Sequence, residues 1–287
     1  MRDYCVRAVA YGGKVRAFAV HTTGIVEELR RRHGTWPTAT AALGRAVSAA
    51  LMMGAMLQDD QKLTLQIRGN GPLGHIVVDS NAKGEVRGYV AHPDVHLPPN
   101  DQGKLDVAGA VGREGSLYVV KDLGLKEPYR GSIPIVSGEI AEDITYYFAK
   151  SEQTPSAVGL SVLVNRDASV WVAGGFIIQL LPGLKEEEIE EIEKVISELK
   201  PLSEMLKDVT SLEDLLKQLL PDAEVKEEMD VRFKCQCSRA RVESTLISLG
   251  KEELENLIKE DGKAEVVCHF CNEAYQFNEE ELTALLP

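Results

Sequence analysis

The chain has 287 residues, of which 44% are apolar and 27% are charged, and its formal net charge is −13 at pH 7. This composition predicts a folded, soluble chain of about two domains. The N-terminus places Asp3 and Arg7 where a signal peptide needs an uninterrupted apolar stretch. The longest apolar run, residues 49–57, is far shorter than the roughly 20 residues that cross a bilayer. We therefore expect a cytoplasmic protein with no membrane anchor.

The negative charge is concentrated in the last third of the chain. Residues 185–287 carry 27 acidic and 13 basic side chains, whereas residues 1–184 carry 18 and 19. A module that grips nucleic acid is expected to present a basic face to the phosphates. The last third has only a local basic patch, made of Arg232, Lys234, Arg239 and Arg241. Nucleic-acid binding is therefore disfavoured.

Residues 1–181 predict a single α+β core domain. Apolar residues alternate from Val6 to Ala19 around Gly12-Gly13, which is typical of a hairpin. A β-rich block and a final strand pair are predicted from LTLQIR, GHIVVDS, GEVRGYV, KLDVAGAV, SLYVVKD, GLSVLV and VWVAGGFIIQLL. Helices are predicted from Thr22 or Thr23 to Arg32, at 38–57 and at 137–150.

Residues 182–229 predict a charged helical linker that begins at Pro182-Gly183. Residues 184–200 place isoleucine and leucine on one stripe, with glutamates in the first turn where the helix dipole favours them. Ser211 and Asp214 form a capping-box-like start for a second helix. Two interpretations remain open: a simple bridge packed on the main domain, or a marginally stable element that depends on tertiary contacts.

The C-terminal module, residues 230–287, contains two close pairs of thiols: Cys235 and Cys237, then Cys268 and Cys271. Four thiolates are the ligand set that structural zinc prefers. The 30 residues between the pairs exceed the common spacing of roughly 15 to 20, but two pairs still indicate a metal site. We expect one Zn²⁺ per chain, bound by these four cysteines in the reduced state. His269 could replace one sulfur.

The same thiols could also form disulfides. A bond between Cys235 and Cys237, with one residue between them, would be strained and hence easily reduced. The alternative is a purely structural zinc module. Cys5, the fifth cysteine, lies in an alternating apolar run and is expected to be a small buried residue. A module of under about 60 residues has little core, so metal is expected to contribute about 10 to 16 kcal/mol to its folding.

The chain lacks the motifs of the common catalytic sites. GNGPLG matches a dinucleotide-binding string, but a strand-like segment follows it where the phosphate site needs a helix N-terminus, so we predict a turn between strands. There is no H-E-x-x-H, and no H-x-E paired with P-C-x-x-C, so catalytic zinc would lack its general base. We expect no enzyme activity and no catalytic residues.

The chain resembles the heat shock protein 33 family, the bacterial redox-regulated holdase chaperones. The resemblance covers the whole length: GNGPLGHIVVDSNAKGEVRGYV, SGEIAEDITYYFAKSEQTPSAVGLSVLV, GGFIIQLLPG, the charged linker, and CQC followed by CHFC. It implies a stress-response chaperone that is zinc-bound and inactive when reduced. It also implies that Cys235 pairs with Cys237, and Cys268 with Cys271, on oxidation.

After oxidation the resemblance implies loss of zinc, unfolding of the C-terminal module and loosening of the linker. The activated form would bind unfolding client proteins, prevent their aggregation and associate as a homodimer. Two competing functions remain open. A constitutive zinc-ribbon scaffold or nucleic-acid adaptor would keep its metal under mild peroxide. A thiol oxidoreductase using CHFC would turn over disulfide substrates, but no βαβ unit surrounds the pair.

Overall fold

The computed structural model of the protein describes residues 1–286, which form two compact units, Met1–Phe233 and a second unit that begins at Lys234. The first unit contains two β-sheets with helices, and the second contains a two-stranded sheet with helices. The predicted α+β class is therefore confirmed.

The first sheet of the large unit has five antiparallel strands. They are β1 (Tyr4–Ala10), β2 (Val15–His21), β8 (Ser156–Val164), β9 (Val170–Leu180) and β10 (Glu224–Asp230). Their order across the sheet is β10-β1-β2-β9-β8. Val6 lies opposite Ala19 across a tight turn at Tyr11–Gly13, so the predicted N-terminal hairpin is confirmed.

The second sheet of the large unit has six strands. They are β3 (Lys62–Gly69), β4 (His75–Asn81), β5 (Glu85–Val90), β6 (Gly115–Asp122), β7 (Tyr129–Pro134) and β11 (Arg232–Phe233). Their order is β11-β5-β4-β3-β6-β7, and β11 pairs with β5 in parallel. The GNGPLG string forms the turn between β3 and β4, as predicted.

The core of the large unit is built around one helix. Its helices before the linker are α1 (Thr23–His33), α2 (Pro37–Gly54), α3 (Val107–Val111) and α4 (Ala141–Lys150). Almost every residue of α2 is buried, and the helix packs against strands of both sheets. Its small residues allow this close approach: a Cβ on Gly44 would lie 2.8 Å from side-chain carbons of Val26 and Val162.

Two expectations for this unit are wrong. KLDVAGAV does not form a strand but contains α3, because the Asp106 carboxylate caps the helix by accepting the Gly109 N–H at 2.8 Å. The helix expected at 137–150 begins at Ala141. The buried Asp143 carboxylate accepts backbone N–H groups of Val136, Ser137 and Gly138, which holds that segment as a loop.

The linker contains α5 (Glu186–Ser197), α6 (Leu202–Asp208) and α7 (Leu212–Leu219). α6 and α7 pack on the face of the five-stranded sheet that points away from α2, and α5 packs against α7. Apolar side chains of all three helices form a second core with this face. We call the sheet side of this core the covered face. It consists of Tyr4, Val6, Ala8, Ala10, Val15, Ala17, Ala19, Val172, Phe176 and Ile178.

The expectation of a wholly helical linker is wrong at its C-terminal end, where β10 pairs with β1. The sequence of β10, EVKEEMD, has little apolar alternation, so its strand conformation depends on that pairing. The predicted domain limits at 181/182 and 229/230 remain predictions. Contacts within the structure separate the chain at Phe233.

The small unit has a hairpin and three helices within the described residues. They are α8 (Arg239–Ile247), α9 (Lys251–Glu260), β12 (Lys263–Val267), β13 (Ala274–Asn278) and α10 (Glu279–Ala284). One helix was expected to end near Gly262, but two are present, because Gly250 adopts a φ of 91° between them. The predicted cap is confirmed: Asn278 Oδ1 accepts the Glu281 N–H at 2.9 Å.

Candidate metal centre

The second cysteine pair lies at the tip of the β12–β13 hairpin. Val267 pairs with Ala274, and Cys268 and Cys271 occupy the connection between the strands. The Cys268 N–H donates to the Glu273 carbonyl at 2.9 Å, and the Asn272 N–H donates to the Cys268 carbonyl at 2.8 Å. These bonds close a tight turn that directs both thiols to one side. The predicted strand-turn-strand placement is confirmed.

The first cysteine pair lies in the irregular segment that leads into α8. Ser238 caps this helix, since its hydroxyl accepts the Arg241 N–H at 3.3 Å. The Arg241 guanidinium donates to the Gln236 carbonyl at 2.9 Å, which fixes the residue between the two cysteines. The helix start thus positions Cys235 and Cys237.

The four sulfurs converge on one point. All of them lie within 4.8 Å of one another, and this is the one such group of candidate metal ligands among residues 1–286. The Cys235 and Cys268 sulfurs are 3.7 Å apart, and the Cys237 and Cys271 sulfurs are 3.3 Å apart. Four sulfurs at about 2.3 Å from a tetrahedral zinc lie about 3.8 Å from each other. The donor set and its spacing therefore fit zinc.

None of the five cysteines forms a disulfide in this structure. Both of these sulfur contacts, Cys235 with Cys268 and Cys237 with Cys271, join one cysteine of the first pair to one of the second, as expected when four thiols surround one point. The pairing of neighbouring cysteines that the family resemblance implies remains a prediction.

The thiols differ in how readily they ionise. Burial opposes ionisation of Cys235, but the Cys237 N–H and the neighbouring thiols outweigh it and lower its pKa to about 7. Burial raises the pKa of Cys268 and of Cys271. Hydrogen bonds from its neighbours thus favour the thiolate of Cys235, whereas burial favours the protonated forms of Cys268 and Cys271. A bound dication would replace those protons, because a coordinating thiol is deprotonated outright.

Tyr275 is a contact of this centre that the sequence analysis did not identify. Its hydroxyl donates to the Cys237 sulfur at 3.2 Å, and this bond raises the pKa of the tyrosine. Tyr275 lies on β13, opposite Val266. Its place on the hairpin that carries Cys268 and Cys271 is the feature of the sequence that could have suggested the contact. A donor to a thiolate favours the charged form of the ligand.

The other two candidates do not join the cluster. His269 is exposed and lies outside the group of convergent sulfurs. Cys5 is 2% exposed in β1, so the expected small buried residue is confirmed. Burial raises its pKa to about 12, and the charge of Glu227 acts in the same direction.

Two polar contacts join the linker helices to β1 and β9. The Tyr4 hydroxyl is buried and accepts the Leu212 N–H at 2.8 Å, at the start of α7. Lys207 places its ammonium 4.8 Å from the centre of the Trp171 ring.

Further polar contacts lie at the turn of the first hairpin. The Tyr11 hydroxyl donates to Glu191 at 3.3 Å, and the Tyr11 N–H donates to Asp222 at 2.7 Å. The Lys14 ammonium lies 3.6 Å from the Glu188 carboxylate. The buried apolar anchors, in chain order, are Ile192, Met205, Leu206, Leu212, Leu215, Leu216, Leu219 and Leu220.

No helix among residues 1–286 is long and apolar enough to cross a membrane.

Comparison with known proteins identifies the family. The sequence model of the family described as "Hsp33 protein" matches residues 3–278. The 33 kDa chaperonin of Geobacillus sp. (strain WCH70) is 55% identical over 287 residues, which cover 99% of this chain and 97% of the relative. The 33 kDa chaperonin of Bacillus subtilis (strain 168) is 55% identical over 284 residues, covering 99% and 98%.

A solved structure agrees with the family model and with the two relatives. The crystal structure of the 33 kDa chaperonin (heat shock protein 33 homolog) from Thermotoga maritima superimposes with a TM-score of 0.94 at 44% identity. The match covers 99% of this chain and 98% of that one. Sequence and fold therefore lead to the same conclusion: the chain belongs to the heat shock protein 33 family.

Proposed function

We propose that this protein is a redox-regulated holdase chaperone, inactive when reduced and zinc-bound and activated by oxidation of its four clustered cysteines. Membership of a chaperonin family supports the chaperone function itself. The observation that carries the redox part is the convergence of four cysteine thiols in a unit with a very small core.

The chemistry needs only an oxidant of the peroxide class. Cys268 and Cys271 form one disulfide and Cys235 and Cys237 the other, each pair giving up two electrons. For each disulfide, one hydrogen peroxide takes up two protons and is reduced to two waters as its O–O bond breaks. In the zinc-bound form all four cysteines would be thiolates, and the thiolate is the nucleophile in thiol oxidation.

Zinc, when bound, holds the four sulfurs together and contributes folding free energy to the small unit. Sulfurs in disulfides no longer act as thiolate ligands, so oxidation removes that contribution. Apart from Cys271, the unit then keeps only a few buried apolar side chains: Val242, Leu246, Leu254, Phe277 and Leu282. A core of this size is too small to keep about 50 residues folded.

Loss of order in the small unit is then passed on along the chain. The polypeptide runs from β10 through β11 directly into Cys235, so the linker loses the folded segment that follows it. Short helices held mainly by tertiary contacts belong to the least stable part of a fold. Release of α5, α6 and α7 uncovers the covered face, a contiguous apolar surface of the kind that binds unfolded chains.

The partners of the activated form are unfolded or partly folded client proteins, and the activated chains associate as a homodimer. The protein acts in the cytoplasm, where thiols are kept reduced until oxidative stress. No catalytic role and no nucleic-acid partner is part of the proposal.

The experiment follows light scattering from a thermally unfolding client enzyme. It compares the reduced, zinc-loaded chaperone with the peroxide-treated chaperone, and zinc release is measured in the same samples. Cys5→Ala serves as the control, since it keeps all four clustered thiols. We expect suppression of aggregation only after oxidation and zinc loss. Equal behaviour of both forms, with zinc retained, would instead support the constitutive scaffold.

A further inference from the structure

β10 occupies the edge of the five-stranded sheet, and β1 lies directly behind it. The pairing is antiparallel from Tyr4 opposite Asp230 to Val9 opposite Glu224, with an irregularity between Arg7 and Ala8. An edge strand that leaves a sheet exposes a row of unpaired N–H and C=O groups on its neighbour. If β10 departs, β1 becomes such an edge.

β10 is held weakly compared with the strands it joins. Five of its seven residues are exposed, and only Val225 and Met229 are partly buried. Its other contacts with the sheet are the backbone ladder and ion pairs whose side chains are about half exposed or more. Exposed pairs contribute little and are screened by salt.

The charges along this edge are complementary. Arg2 forms ion pairs with Glu228 and Asp230, and the Arg7 guanidinium lies 3.6 Å from the Glu227 carboxylate. Arg7 also lies close enough to Arg16 to lower the pKa of its guanidinium, although burial contributes more. Without β10, the edge of β1 would be a hydrogen-bonding strand flanked by unneutralised arginines.

β10 also covers a thiol. A small cavity of about 50 Å³ beside Cys5 is lined by Glu227 and Met229 of β10 together with Arg7, Ala55, Leu57 and Ala82. Cys5 lies opposite Met229 in the ladder. Departure of β10 would therefore expose Cys5 to solvent.

From this arrangement we propose that the β1 edge is a docking site for extended segments of unfolded client chains that are rich in acidic side chains, as β10 is. β10 is its resident occupant in the inactive protein. A client segment adds to the sheet as a strand: the backbone ladder provides sequence-independent binding, and Arg2 and Arg7 select acidic segments. This inference rests on the proposed function, since the linker must loosen for the edge to open.

Cys5 provides the readout for opening of the edge. In the fully oxidised protein the four clustered cysteines are in disulfides, so Cys5 is the one remaining thiol of five. The protein is treated with an alkylating reagent, and modification of the peptide containing Cys5 is measured by mass spectrometry. We expect modification in the oxidised form and protection in the reduced form.

The docking itself is measured with two fluorescent peptides. One, AEVKEEMDV, copies residues 223–231, and the other, AKVEKKMKV, reverses every charge. We expect the oxidised protein to bind the acidic peptide about tenfold more tightly than the reversed one, with the preference lost at about 1 M salt. The reduced protein should bind neither, because β10 occupies the site.

Substitutions at the edge test the charge selection. Arg7→Glu combined with Arg2→Glu should remove or invert the preference between the peptides. Arg130→Glu is the matched control, because Arg130 is an exposed arginine on β7, the edge strand of the other sheet. It should leave the preference unchanged.

A second variant separates this inference from the redox proposal. Proline has no backbone N–H, and successive N–H groups of a strand point to opposite sides. Replacing both Glu227 and Glu228 by proline therefore removes at least one N–H that donates to β1. In the reduced, zinc-loaded protein this variant should make Cys5 reactive and allow the acidic peptide to bind. That result stands even if oxidation does not activate the chaperone.

Several outcomes would overturn the docking site. One is a protected Cys5 in both the oxidised protein and the proline variant. Another is that Cys5 becomes reactive and client aggregation is suppressed, but the protein does not distinguish the two peptides. A third is that the proline variant dimerises and excludes the peptide, which would make a second copy of this chain the occupant.

Discussion

Helix α2 and the C-terminal unit are both folded, but they differ in what keeps them so. α2 is buried along nearly its whole length and packs against strands of both sheets. The unit after Lys234 has five buried apolar side chains besides Cys271, together with four thiols around one point. Burial of apolar area stabilises the first region without any ligand. In our proposal the second depends on metal coordination, so its fold would respond to the chemistry of its cysteines.

The linker lies between these extremes. Its helices bury leucines and isoleucines on the covered face, yet each helix is at most 12 residues long and many of its outward positions are acidic. Isolated helices of this length are marginal in water. We therefore expect the linker to be stable only while it is docked, and to be released without unfolding the core behind it.

The largest effect is expected from disrupting the metal centre. Cys268→Ser, or a strong zinc chelator on the reduced wild type, should remove much or all of a contribution of about 10 to 16 kcal/mol and unfold the small unit. Metal content and thermal melting measure this directly. Cys5→Ala should keep its metal. Unchanged metal content and melting of Cys268→Ser would contradict the assignment of the site.

The second prediction compares two leucines that are both fully buried. Leu215→Ala in the linker and Leu51→Ala in α2 should each cost about 2 to 5 kcal/mol. The first should undock the linker and raise holdase activity in the reduced protein. The second should lower the melting temperature of the whole large unit. Hydrogen exchange distinguishes them; loss of protection across the core in Leu215→Ala would refute independent release of the linker.

A smaller effect is expected at the buried Tyr4 hydroxyl. Tyr4→Phe leaves the Leu212 N–H without its acceptor at 2.8 Å, which should weaken docking of the linker by about 1 to 3 kcal/mol. Less peroxide should then be needed for half-activation. Tyr11→Phe is the control, because the Tyr11 hydroxyl meets Glu191 at 3.3 Å on the surface. Equal effects of the two substitutions would argue against a special role for Tyr4.

The smallest effect concerns surface charge on the large unit. A hydrogen bond from Arg30 lowers the pKa of Glu27 below its ordinary value of 4.5, although burial opposes this. The resulting stabilisation is complete above the unfolded pKa and is lost as the pH falls through the folded pKa. Glu27→Gln should therefore cost about 0.5 kcal/mol at pH 7 and nothing well below pH 4.5. Urea unfolding at both pH values tests this; a constant difference would exclude the ion pair as the cause.

The sequence predicted those parts of the fold that depend on residues close together in the chain or on the chemistry of particular side chains. Alternation around Gly12-Gly13 predicted the first hairpin, and the cysteine spacing predicted convergence of the sulfurs. The strand β10 was missed because its sequence is mostly acidic, and only the ladder with β1 and the nearby arginines hold it extended. α3 was missed because the apolar run VAGAV fits a strand as well as a helix, and the Asp106 cap decides between them.

The centre itself was only partly predictable. The type of ligand follows from four cysteines, but the Tyr275 contact and the difference in pKa between Cys235 and Cys271 depend on hydrogen bonds that form only in the folded hairpin. Part of the covered face was predictable, because apolar residues alternate along the two strands of the first hairpin. The packing of the linker helices on this face could not be predicted, because it depends on tertiary contacts that sequence periodicity does not reveal.

Hydrogen exchange, followed by mass spectrometry, tests the central claim most directly. The reduced zinc-loaded protein is compared with the oxidised, zinc-free protein. Our account predicts that protection disappears in the unit after Lys234 and in residues 186–230, while α2 stays fully protected. Retained protection across residues 186–230 in the oxidised protein would contradict it, because the covered face could not then open to a client.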